Sequence, residues 1–423
     1  MKSYKSKPLG ELADDITVGF VGTMASEYVS NGIPFLRSLN IKPYRFESTD
    51  LKYITRDFHE KIIKSALKPG DVAVVRTGKP GASCVIPDSL IEANCSDLVV
   101  IRCGENLDPH FVSYYINSVT HSHVKSQLVG AIQKHFNIGS AKELAFPNLT
   151  KKRQSEISSV LKILDAKIEL NNCINAELEA MAKTLYDYWF VQFDFPDANG
   201  KPYKTSGGKM VYNPTLKREI PEGWSSKRLD DVISRSGTGL NPRDNFTLGD
   251  GDNYYITIKD IEQGRIVFSE KSDRINDEAM NIINKRSDLK AGDVLFTSIE
   301  PVGVTYLLHE TPTNWNINES VFTIRANKAI TTPEFLFKLL SSEHLKVFCK
   351  NSSTGSIHKG IRHTVLKSFP FAYAGLELIK QFTKITQPIL QKQELVNKEN
   401  QQLIQLRDWL LPMLMNGQVT IKG

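Results

Sequence analysis

Apolar residues recur at alternating intervals of four and three in two long stretches of the chain. The first stretch covers about residues 152–190, with Ile157, Leu161, Leu164, Ile168, Leu178, Ala182, Leu185 and Trp189. The second covers about residues 376–415, with Leu378, Phe382, Ile385, Ile389, Val396, Leu403, Leu406 and Leu410. This spacing is typical of a helix that packs on another helix, and a lone helix of this length needs a partner. We therefore expect the two helices to pair as an antiparallel coiled coil about 55 Å long.

Three positions qualify this prediction. Asn171 and Asn175 fall on the seam of the first helix, where polar residues can fix the register of pairing. The alternative is a local stutter in the repeat that turns both side chains outward, and the sequence leaves both readings open. Pro388 lacks a backbone N–H and clashes with the preceding turn, so we expect a kink or a new start near Thr386.

The rest of the chain contains an internal sequence repeat. "LKPGDVAVVRTGKPG" begins at Leu67, and "LKAGDVLFTSIEPVG" begins 222 residues later at Leu289. Four more pairs of segments flank this one and occur in the same order in both halves, at offsets between 220 and 225. They are "PFLRSLNI" with "YYITIKDI", "CSDLVVIR" with "NESVFTIR", "DPHFVSYYINS" with "TPEFLFKLLSS", and "GAIQKH" with "GSIHKG". Five matches in register indicate two copies of one fold.

Each copy predicts a mixed α+β globule. Runs such as "DVAVVR", "DLVVIR", "DVLFTS" and "SVFTIR" are short, β-rich and bounded by turn residues. "PHFVSYYINSV" and "PEFLFKLLSSEHLKVFC" place Pro in the first turn of a helix. The predicted order is a globule at 1–150, a long helix at 151–190, a connector at 191–224, a second globule at 225–373 and a second long helix at 374–423. The connector is rich in Gly, Pro and Lys.

Composition sets the class of protein. The formal net charge is +6, which is compatible with nucleic acid but is common among soluble proteins. The five cysteines contain no CxxC pair, and no apolar run reaches 18 residues. We expect a cytoplasmic protein that does not enter a membrane.

Catalytic motifs are missing where an enzyme would need them. "NPTL" at 213–216 lacks the second proline and the aromatic residue of an amino-methyltransferase motif. "PDSLIEAN" at 87–94 has Asn94 where a nuclease would need Lys, and no phosphate loop has the required spacing. His121 and His123 have no accompanying ligand cluster. We expect no catalytic residue and no metal site.

Several segments together resemble the specificity subunit of a type I restriction–modification system. They are "ILDAKIELNNCINAELEAMAKTLYDYWF" at 163–190, "KREIPEGW" at 217–224, "LKAGDVLFTS" at 289–298 and "LLPMLMNGQV" at 410–419. The resemblance implies two target recognition domains, each followed by a conserved helix, with each domain reading one half of a split DNA target. The first unit departs from this pattern, since it opens with "SYKSKPLGEL" and has no "IPEGW" before it.

The resemblance also implies partners. The helices would set the spacing and bind modification (methyltransferase) subunits, two per chain, with restriction (translocase/endonuclease) subunits joining the assembled complex. No cofactor is expected on this chain, and S-adenosylmethionine belongs on the methyltransferase partner. The aromatic ends of the helices are candidates for partner binding, namely Tyr186, Tyr188, Trp189, Phe190 and Trp409. The alternative is that the rings of the first helix cap the adjacent globule.

Double-stranded DNA requires cations against phosphates and polar groups at base edges. The candidates are loop residues that match this chemistry: Arg37, Arg76, Lys79, Gln133, Lys134 and His135 in the first globule, and Lys259, Arg265, His358, Lys359 and Arg362 in the second. For any one of them, a solvated surface residue is the alternative. Two other functions remain open: a coiled-coil scaffold whose globules bind proteins, and an enzyme with an unrecognised site.

Overall fold

The computed structural model describes residues 4–127, 136–243, 245–262, 264–269, 271–352 and 360–419. The chain is a mixed α/β protein with two long helices. Its contacts divide it into unit 1, which contains Met1–Leu170 and Asn400–Gly423, and unit 2, which contains Asn171–Glu399.

In its described residues, the first half of the chain consists of short strands, three α-helices and the first long helix. The strands are β1 (Ser6–Pro8), β2 (Asp15–Val18), β3 (Tyr28–Val29), β4 (Ile33–Leu36), β5 (Ile41–Lys42), β6 (Arg45–Phe46), β7 (Lys52–Ile54), β8 (Ala66–Leu67), β9 (Val72–Val75), β10 (Ser83–Val85), β11 (Ala93–Cys95), β12 (Leu98–Arg102) and β13 (Ala145–Pro147). The helices are α1 (Arg56–Lys61), α2 (Pro109–Gln127), α3 (Ile138–Glu143) and the long α4 (Lys151–Tyr186), which a π-helical turn (Asp187–Val191) extends.

The second half begins with a hairpin and ends in the second long helix. The strands are β14 (Met210–Asn213), β15 (Arg218–Pro221), β16 (Ser225–Arg228), β17 (Ile233–Thr238), β18 (Asn253–Ile256), β19 (Ile261–Glu262), β20 (Arg265–Ile266), β21 (Asp273–Ile275), β22 (Asp293–Thr297), β23 (Thr305–Leu307), β24 (Trp315–Ile317), β25 (Val321–Ala326) and β26 (Pro370–Tyr373). The helices are α5 (Asp277–Ser287), α6 (Pro333–Leu340), α7 (Glu343–Ser352), α8 (His363–Lys367) and α9 (Leu376–Met415).

Both units contain the same sheet arrangement. In unit 1 a sheet has the order β10-β9-β12-β2, and in unit 2 a sheet has the order β23-β22-β25-β17. A second sheet in unit 1 contains β7-β4-β11, and its counterpart in unit 2 is β21-β18-β24. In both of these sheets the last two strands are parallel, as β4 with β11 and as β18 with β24. The ribbons β1–β13 and β16–β26 also correspond.

The four β-rich runs predicted from sequence are confirmed as β9, β12, β22 and β25, which pair with one another inside each unit. The predicted proline starts are confirmed too, since α2 begins at Pro109 and α6 at Pro333. One predicted helix is wrong, because "PEFLFKLLSSEHLKVFC" forms two helices. Ser342 breaks it: its hydroxyl donates to the carbonyl of Leu339 (2.7 Å) and accepts from the N–H of Leu345 (3.3 Å).

Helices α4 and α9 lie close to the apolar stretches at 152–190 and 376–415. Of the predicted kink or new start near Thr386, the new start is wrong. Helix α9 runs without a break through Pro388. Phe382 and Leu390, on either side of the proline, are both buried in the core of unit 2. Pro388 itself is exposed, so water can satisfy the carbonyl that loses its donor. Packing on both sides therefore keeps the helix continuous.

The seam interpretation of Asn171 and Asn175 is confirmed. Asn171 is 1% exposed, and its side-chain amide donates to the carboxylate of Glu399 (2.8 Å). The amide of Asn175 donates to the side-chain oxygen of Asn397 (2.8 Å). Partner numbers on α9 fall as those on α4 rise, so the two helices run antiparallel where they meet in unit 2.

Unit 1 has its own contact between the long helices. Arg407 of α9 donates to Asp165 of α4 over 2.9 Å. The guanidinium of Arg407 also lies over the ring of Tyr44, 4.4 Å from its centroid. The core beside it includes Ile157 and Leu161 of α4. The C-terminal part of α9, with Leu411 and Leu414 in the same core, is therefore part of the first globule's packing.

The connector is an ordered element, although its composition suggested a linker. Its hairpin β14–β15 packs beside an aromatic stack in which Phe195 lies against Tyr203 (4.7 Å) and Trp224 (5.2 Å). Arg218 lies over the Phe193 ring at 4.6 Å and donates to the carbonyl of Val191 (2.9 Å). Aromatic burial thus orders a segment that is rich in Gly and Pro.

Candidate nucleic-acid interface

Four loops of unit 1 meet where strands β2, β4, β9 and β11 end. The N–H of Phe20, after β2, donates to the carbonyl of Cys95 (2.7 Å). The N–H of Ser96, after β11, donates to the carbonyl of Leu36 (3.1 Å). Backbone hydrogen bonds therefore connect the loops after β2, β4 and β11.

The loop after β9 joins the same place. The N–H of Arg76 donates to the carbonyl of Asp97 (3.4 Å), and the carbonyl of Arg76 accepts from the N–H of Phe136 (3.1 Å). We call residues 19–22, 36–38, 76–79, 95–97 and 136 the first junction. It brings Arg37, Arg76 and Lys79 into one set of loops.

Asp97 joins two of these loops through its side chain. Its carboxylate accepts a hydrogen bond from the hydroxyl of Ser38 (3.1 Å) and a short one from the hydroxyl of Thr77. Its backbone is left-handed, with φ of 55°. Asp97 was not among the residues predicted from the sequence, although it lies in the repeated "CSDLVVIR" segment.

Arg37 is already engaged within unit 1. Its guanidinium donates to the carbonyl (2.6 Å) and carboxylate (2.7 Å) of Asp50. Hydrogen bonds from Lys52 and then Arg37 lower the pKa of the Asp50 carboxyl to about 2. The Asp50 carboxylate is thus ionised at neutral pH, and it holds Arg37 in one orientation.

Arg76 and Lys79 differ from Arg37 in this respect. The Arg76 side chain is half-buried, and its guanidinium makes no hydrogen bond to any residue in the described ranges. Lys79 is exposed two residues after Thr77. A planar guanidinium without an acceptor can form two parallel hydrogen bonds to an external group. Arg76 is therefore the better placed arginine of the first junction for a ligand contact.

Unit 2 contains a second junction, in which backbone hydrogen bonds join the corresponding loops. The hydrogen bonds run from Gly239 to Asn318 (3.1 Å), from Asn318 to Ile256 (2.9 Å), from Ser298 to Ser320 (2.9 Å) and from Ile361 to Ser298 (2.8 Å). We call residues 239–240, 256–259, 298–301, 318–320 and 360–362 the second junction.

A glycine is required at the same place in both junctions. A Cβ at Gly19 would lie 2.8 Å from the carbonyl oxygen of Cys95, and one at Gly239 would lie 1.7 Å from that of Ile317. Both distances are shorter than atoms tolerate, so only glycine lets the first loop approach the strand.

The side chains at the two junctions differ. Thr257 stands where the first junction has Arg37, Ser298 where it has Arg76, Pro301 where it has Lys79, and Ser320 where it has Asp97. Glu300 is exposed in the loop that carries Arg76 and Lys79 in unit 1. The two junctions therefore share a backbone and offer a ligand different chemistry.

The second junction holds two of its predicted cations. Lys259 is paired with Asp273 over 2.9 Å, and Arg362 is exposed directly after Ile361. Arg265 lies on the ribbon β19–β20 and takes no part in the connections that define the junction. The structure thus places Lys259 and Arg362 in loops of the second junction and Arg265 on a separate ribbon.

Five predicted residues lie outside the described ranges: Gln133, Lys134, His135, His358 and Lys359. Their segments lead directly to junction residues. Phe136 follows His135 in sequence and binds Arg76, while Gly360 follows Lys359 and forms a bridge with Ile299.

A buried polar pair supports each junction from inside. The hydroxyl of Ser65 donates to Asn94 (2.7 Å) in unit 1, and that of Ser287 donates to Asn316 (2.8 Å) in unit 2. Each asparagine oxygen also accepts from the N–H of the next residue, which precedes the junction turn. Buried polar groups with such partners hold a unique backbone geometry.

The predicted partner-binding aromatics need a correction. Tyr186, Trp189 and Phe190 are buried in the core of unit 2, so they do not form an open surface. The Phe190 ring lies 4.8 Å from that of Phe335. Only Tyr188 and Trp409 remain accessible, with exposed fractions of 37% and 61%.

The described residues contain neither a metal cluster nor a membrane-spanning helix. No group of three or more His, Cys, Asp or Glu side chains in the described ranges is arranged to hold a metal ion. Among the helices of those ranges, none is long and apolar enough to span a membrane.

Comparison with known proteins gives one consistent family. Residues 221–405 match the type I restriction modification DNA specificity domain. The chain is 23% identical to the type I restriction enzyme MjaIX specificity subunit of Methanocaldococcus jannaschii, over 99% of this chain and 93% of that protein. It is 23% identical to the HindI specificity subunit of Haemophilus influenzae, over 67% of this chain and 70% of that protein.

A solved structure shares the fold. The S subunit of a type I restriction–modification system from M. genitalium superposes with a TM-score of 0.56 at 13% identity, covering 99% of this chain and 97% of the other. The relatives are named as specificity subunits, which agrees with the prediction of a non-catalytic role. The resemblance to the specificity subunits of type I restriction–modification systems is therefore confirmed, with residues 221–405 matching the DNA specificity domain.

Proposed function

We propose that this chain is the non-catalytic DNA-specificity subunit of a type I restriction–modification complex. Each globule reads one half of an asymmetric bipartite target, through its own junction. The observation that carries this proposal is the pair of junctions, which join corresponding loops by backbone hydrogen bonds and carry different side chains. One fold kept twice gives two similar DNA-binding platforms, and different side chains give each platform its own sequence preference.

The contacts at each junction divide into two kinds. Arg76, whose guanidinium has no acceptor within the described residues, suits a bidentate contact to a base edge, most often guanine. Lys79 and Arg362 are exposed and suit phosphate contacts, which give affinity without sequence information. Arg37 and Lys259 are held by acidic neighbours, so we assign them to support of the loops.

We further propose that the two long helices separate two globules and set the length of the unread spacer between the half-targets. The predicted bounds 1–150, 151–190, 191–224, 225–373 and 374–423 describe this division. The antiparallel contacts of Asn171 with Glu399 and of Asn175 with Asn397 support a fixed register between the helices. A coiled coil with polar residues at seam positions has one preferred register.

The proposed protein partners are two modification subunits per chain, which carry S-adenosylmethionine, and restriction subunits that join the assembled complex. Each unit offers exposed apolar side chains on its long-helix segments: Ile163, Leu170 and Trp409 in unit 1, and Met181, Tyr188 and Leu395 in unit 2. Exposed apolar groups of this kind mark protein interfaces.

The proposed location is the cytoplasm. The four buried cysteines and the exposed Cys173 are all free thiols, which is usual for proteins in that reducing compartment.

The test is the pattern of methylation that the complex leaves on DNA. A strain that lacks other methyltransferases is given this chain with its modification subunit, and its genome is read by methylation-sensitive sequencing. The expected result is one motif of two different short words with unread bases between them. A palindromic or continuous motif, or methylation unchanged when the chain is omitted, would overturn the proposal.

A further inference from the structure

Asp97 occupies a special place in the first junction. It lies in the turn between β11 and β12, and it contacts both loops that carry the predicted cations. Its carboxylate accepts from the hydroxyl of Ser38, which follows Arg37, and from that of Thr77, which follows Arg76. Its carbonyl accepts from the N–H of Arg76 (3.4 Å). A single residue thus links the loop after β4 to the loop after β9.

In the second junction, no carboxylate at the corresponding position links the two loops. Ser320 stands at the corresponding position, and it serves the neighbouring loop through its backbone. Its carbonyl accepts from both the N–H (2.9 Å) and the hydroxyl (2.8 Å) of Ser298. The Ser298 side chain is short and nearly buried, whereas Arg76 and Lys79 are long and flexible. Long side chains lose more conformational freedom on binding, so their loops gain more from being fixed beforehand.

We propose that Asp97 is a positioning residue for base recognition by the first globule, and that it has no counterpart in the second. The inference rests on the proposed function, because it assumes that the first junction reads DNA. Asp97 does not touch the bases. It holds the Ser38 and Thr77 loops in one geometry, so that Arg76 meets a base edge in a fixed orientation. A carboxylate beside cations weakens phosphate attraction slightly, so its contribution is to selectivity and not to overall affinity.

Two variants at this position separate the carboxylate from the backbone. Asp97→Gly keeps the left-handed conformation and removes both side-chain hydrogen bonds. Asp97→Asn also tolerates that conformation and keeps an oxygen that can accept from Ser38 or Thr77. The double variant Ser38→Ala with Thr77→Val removes the two donors and leaves Asp97 in place. Ser320→Ala in the second junction is the matched control, since only the backbone of Ser320 binds Ser298.

The measurement is binding of the full chain, assembled with its modification subunits, to four duplexes. They carry the native target, the target with one base changed in the first word, the target with one base changed in the second word, and random sequence. Discrimination is the ratio of the affinity for the native duplex to that for a changed duplex. We expect Asp97→Gly and the double variant to reduce discrimination of the first word about tenfold. Discrimination of the second word and affinity for random duplex should stay within about twofold, and Asp97→Asn should recover most of the loss.

Three outcomes would overturn the inference: unchanged discrimination in Asp97→Gly, equal loss for both words, or Asp97→Asn as defective as Asp97→Gly. Should Asp97→Gly fail to fold, as judged by its thermal midpoint, the double variant decides in the same way. If the unaltered complex discriminates neither word, the proposed function fails and this inference with it. If the unaltered complex discriminates both words and the variants follow none of the expected changes, only the inference about Asp97 fails.

Discussion

Asn171 of α4 donates its side-chain amide to the carboxylate of Glu399 of α9 over 2.8 Å, from a position that is 1% exposed. We predict that Asn171→Leu lowers the stability of unit 2 by about 1–3 kcal/mol, because the Glu399 carboxylate loses this donor at a half-buried site. Adding Glu399→Leu should recover part of the loss. Urea unfolding followed by tryptophan fluorescence measures both, since Trp189, Trp224 and Trp315 belong to unit 2. Glu177→Gln, on the exposed face of the same helix, is the control and should change nothing.

Substitutions of Phe190 and Trp409 should distinguish a role in core packing from a role in partner binding. Phe190 is buried between Phe335 (4.8 Å) and Phe382 (5.1 Å), so Phe190→Ala should cost about 3–5 kcal/mol of stability. Trp409 is 61% exposed, so Trp409→Ala should change stability by less than about 0.5 kcal/mol. Under the proposed function, Trp409→Ala should nevertheless weaken capture of the modification subunit in a pull-down. A Trp409→Ala chain that unfolds early, or that captures the subunit normally, would contradict this division.

The long helices show what sequence periodicity can predict. Alternating steps of three and four placed α4 and α9 within a few residues, because amphipathic spacing depends only on local sequence. The same pattern could not say what covers the apolar face at Tyr186 and Phe190. Their partners, such as Phe335, lie well over a hundred residues away in the chain. An aromatic end that resembled an open surface is therefore the core of unit 2.

The junctions show a second limit. The repeat of segments located the loops, since the same backbone occurs in both halves. The role of Asp97 depends on Ser38, which is 59 residues earlier, and no local rule relates the two. Likewise, Pro388 obeys the rule for a helix break when taken alone, yet Phe382 and Leu390 hold the helix together. At Pro388, tertiary packing overrides local preference, and at Asp97 the deciding contact is long-range.

Arg76 and Lys79 should respond differently to substitution. Arg76→Ala should cost about 1–3 kcal/mol against the native target and relax selectivity at one position of the first word. Lys79→Ala should weaken all duplexes alike and reduce the salt slope of binding by about one. Titrations of native, first-word-changed and random duplex at several salt concentrations distinguish the two. A uniform loss in Arg76→Ala would reassign that residue to phosphate contact.

Acid should weaken unit 2 through the pair of Lys338 and Glu179. The Lys338 side chain is 2% exposed and donates to Glu179 over 3.0 Å. Burial raises the pKa of the Glu179 carboxyl, but Lys338 and Gln393 outweigh burial and hold the pKa below its usual 4.5. Because the folded-state pKa is the lower one, the stabilisation is complete above about pH 4.5 and is lost as the pH falls through the folded-state value.

Glu179→Gln tests this pair directly. At pH 7 it should lower stability by about 1–3 kcal/mol, less than for a fully buried pair because the Glu179 side chain is 52% exposed. Below pH 4.5 the variant should approach the unaltered chain. Lys338→Met added to Glu179→Gln should restore stability at pH 7, since an apolar chain of similar length then fills the site. A difference between variant and unaltered chain that stays constant from pH 7 to pH 3 would refute the ionic explanation.

The length of the unread spacer should follow the length of both helices together. Glu179 contacts Gln393 and Asn175 contacts Asn397, so α4 and α9 have a fixed antiparallel register. Duplicating "AELEAMA" at 176–182 alone would displace one side of these contacts. Inserting a copy of "QKQELVN" at 391–397 as well should restore them, because both insertions are seven residues and keep the seam in phase. The added length is about 10 Å, which corresponds to about three base pairs of B-DNA.

We expect the double insertion to lengthen the spacer by about that amount and to leave both words unchanged, as read by methylation-sensitive sequencing. The single insertion should abolish methylation or give a poorly defined spacer. Replacing residues 1–150 by the first globule of another specificity subunit should change one word and keep the spacer. A spacer that stays constant in the double insertion would show that the helices do not measure the distance between the half-targets.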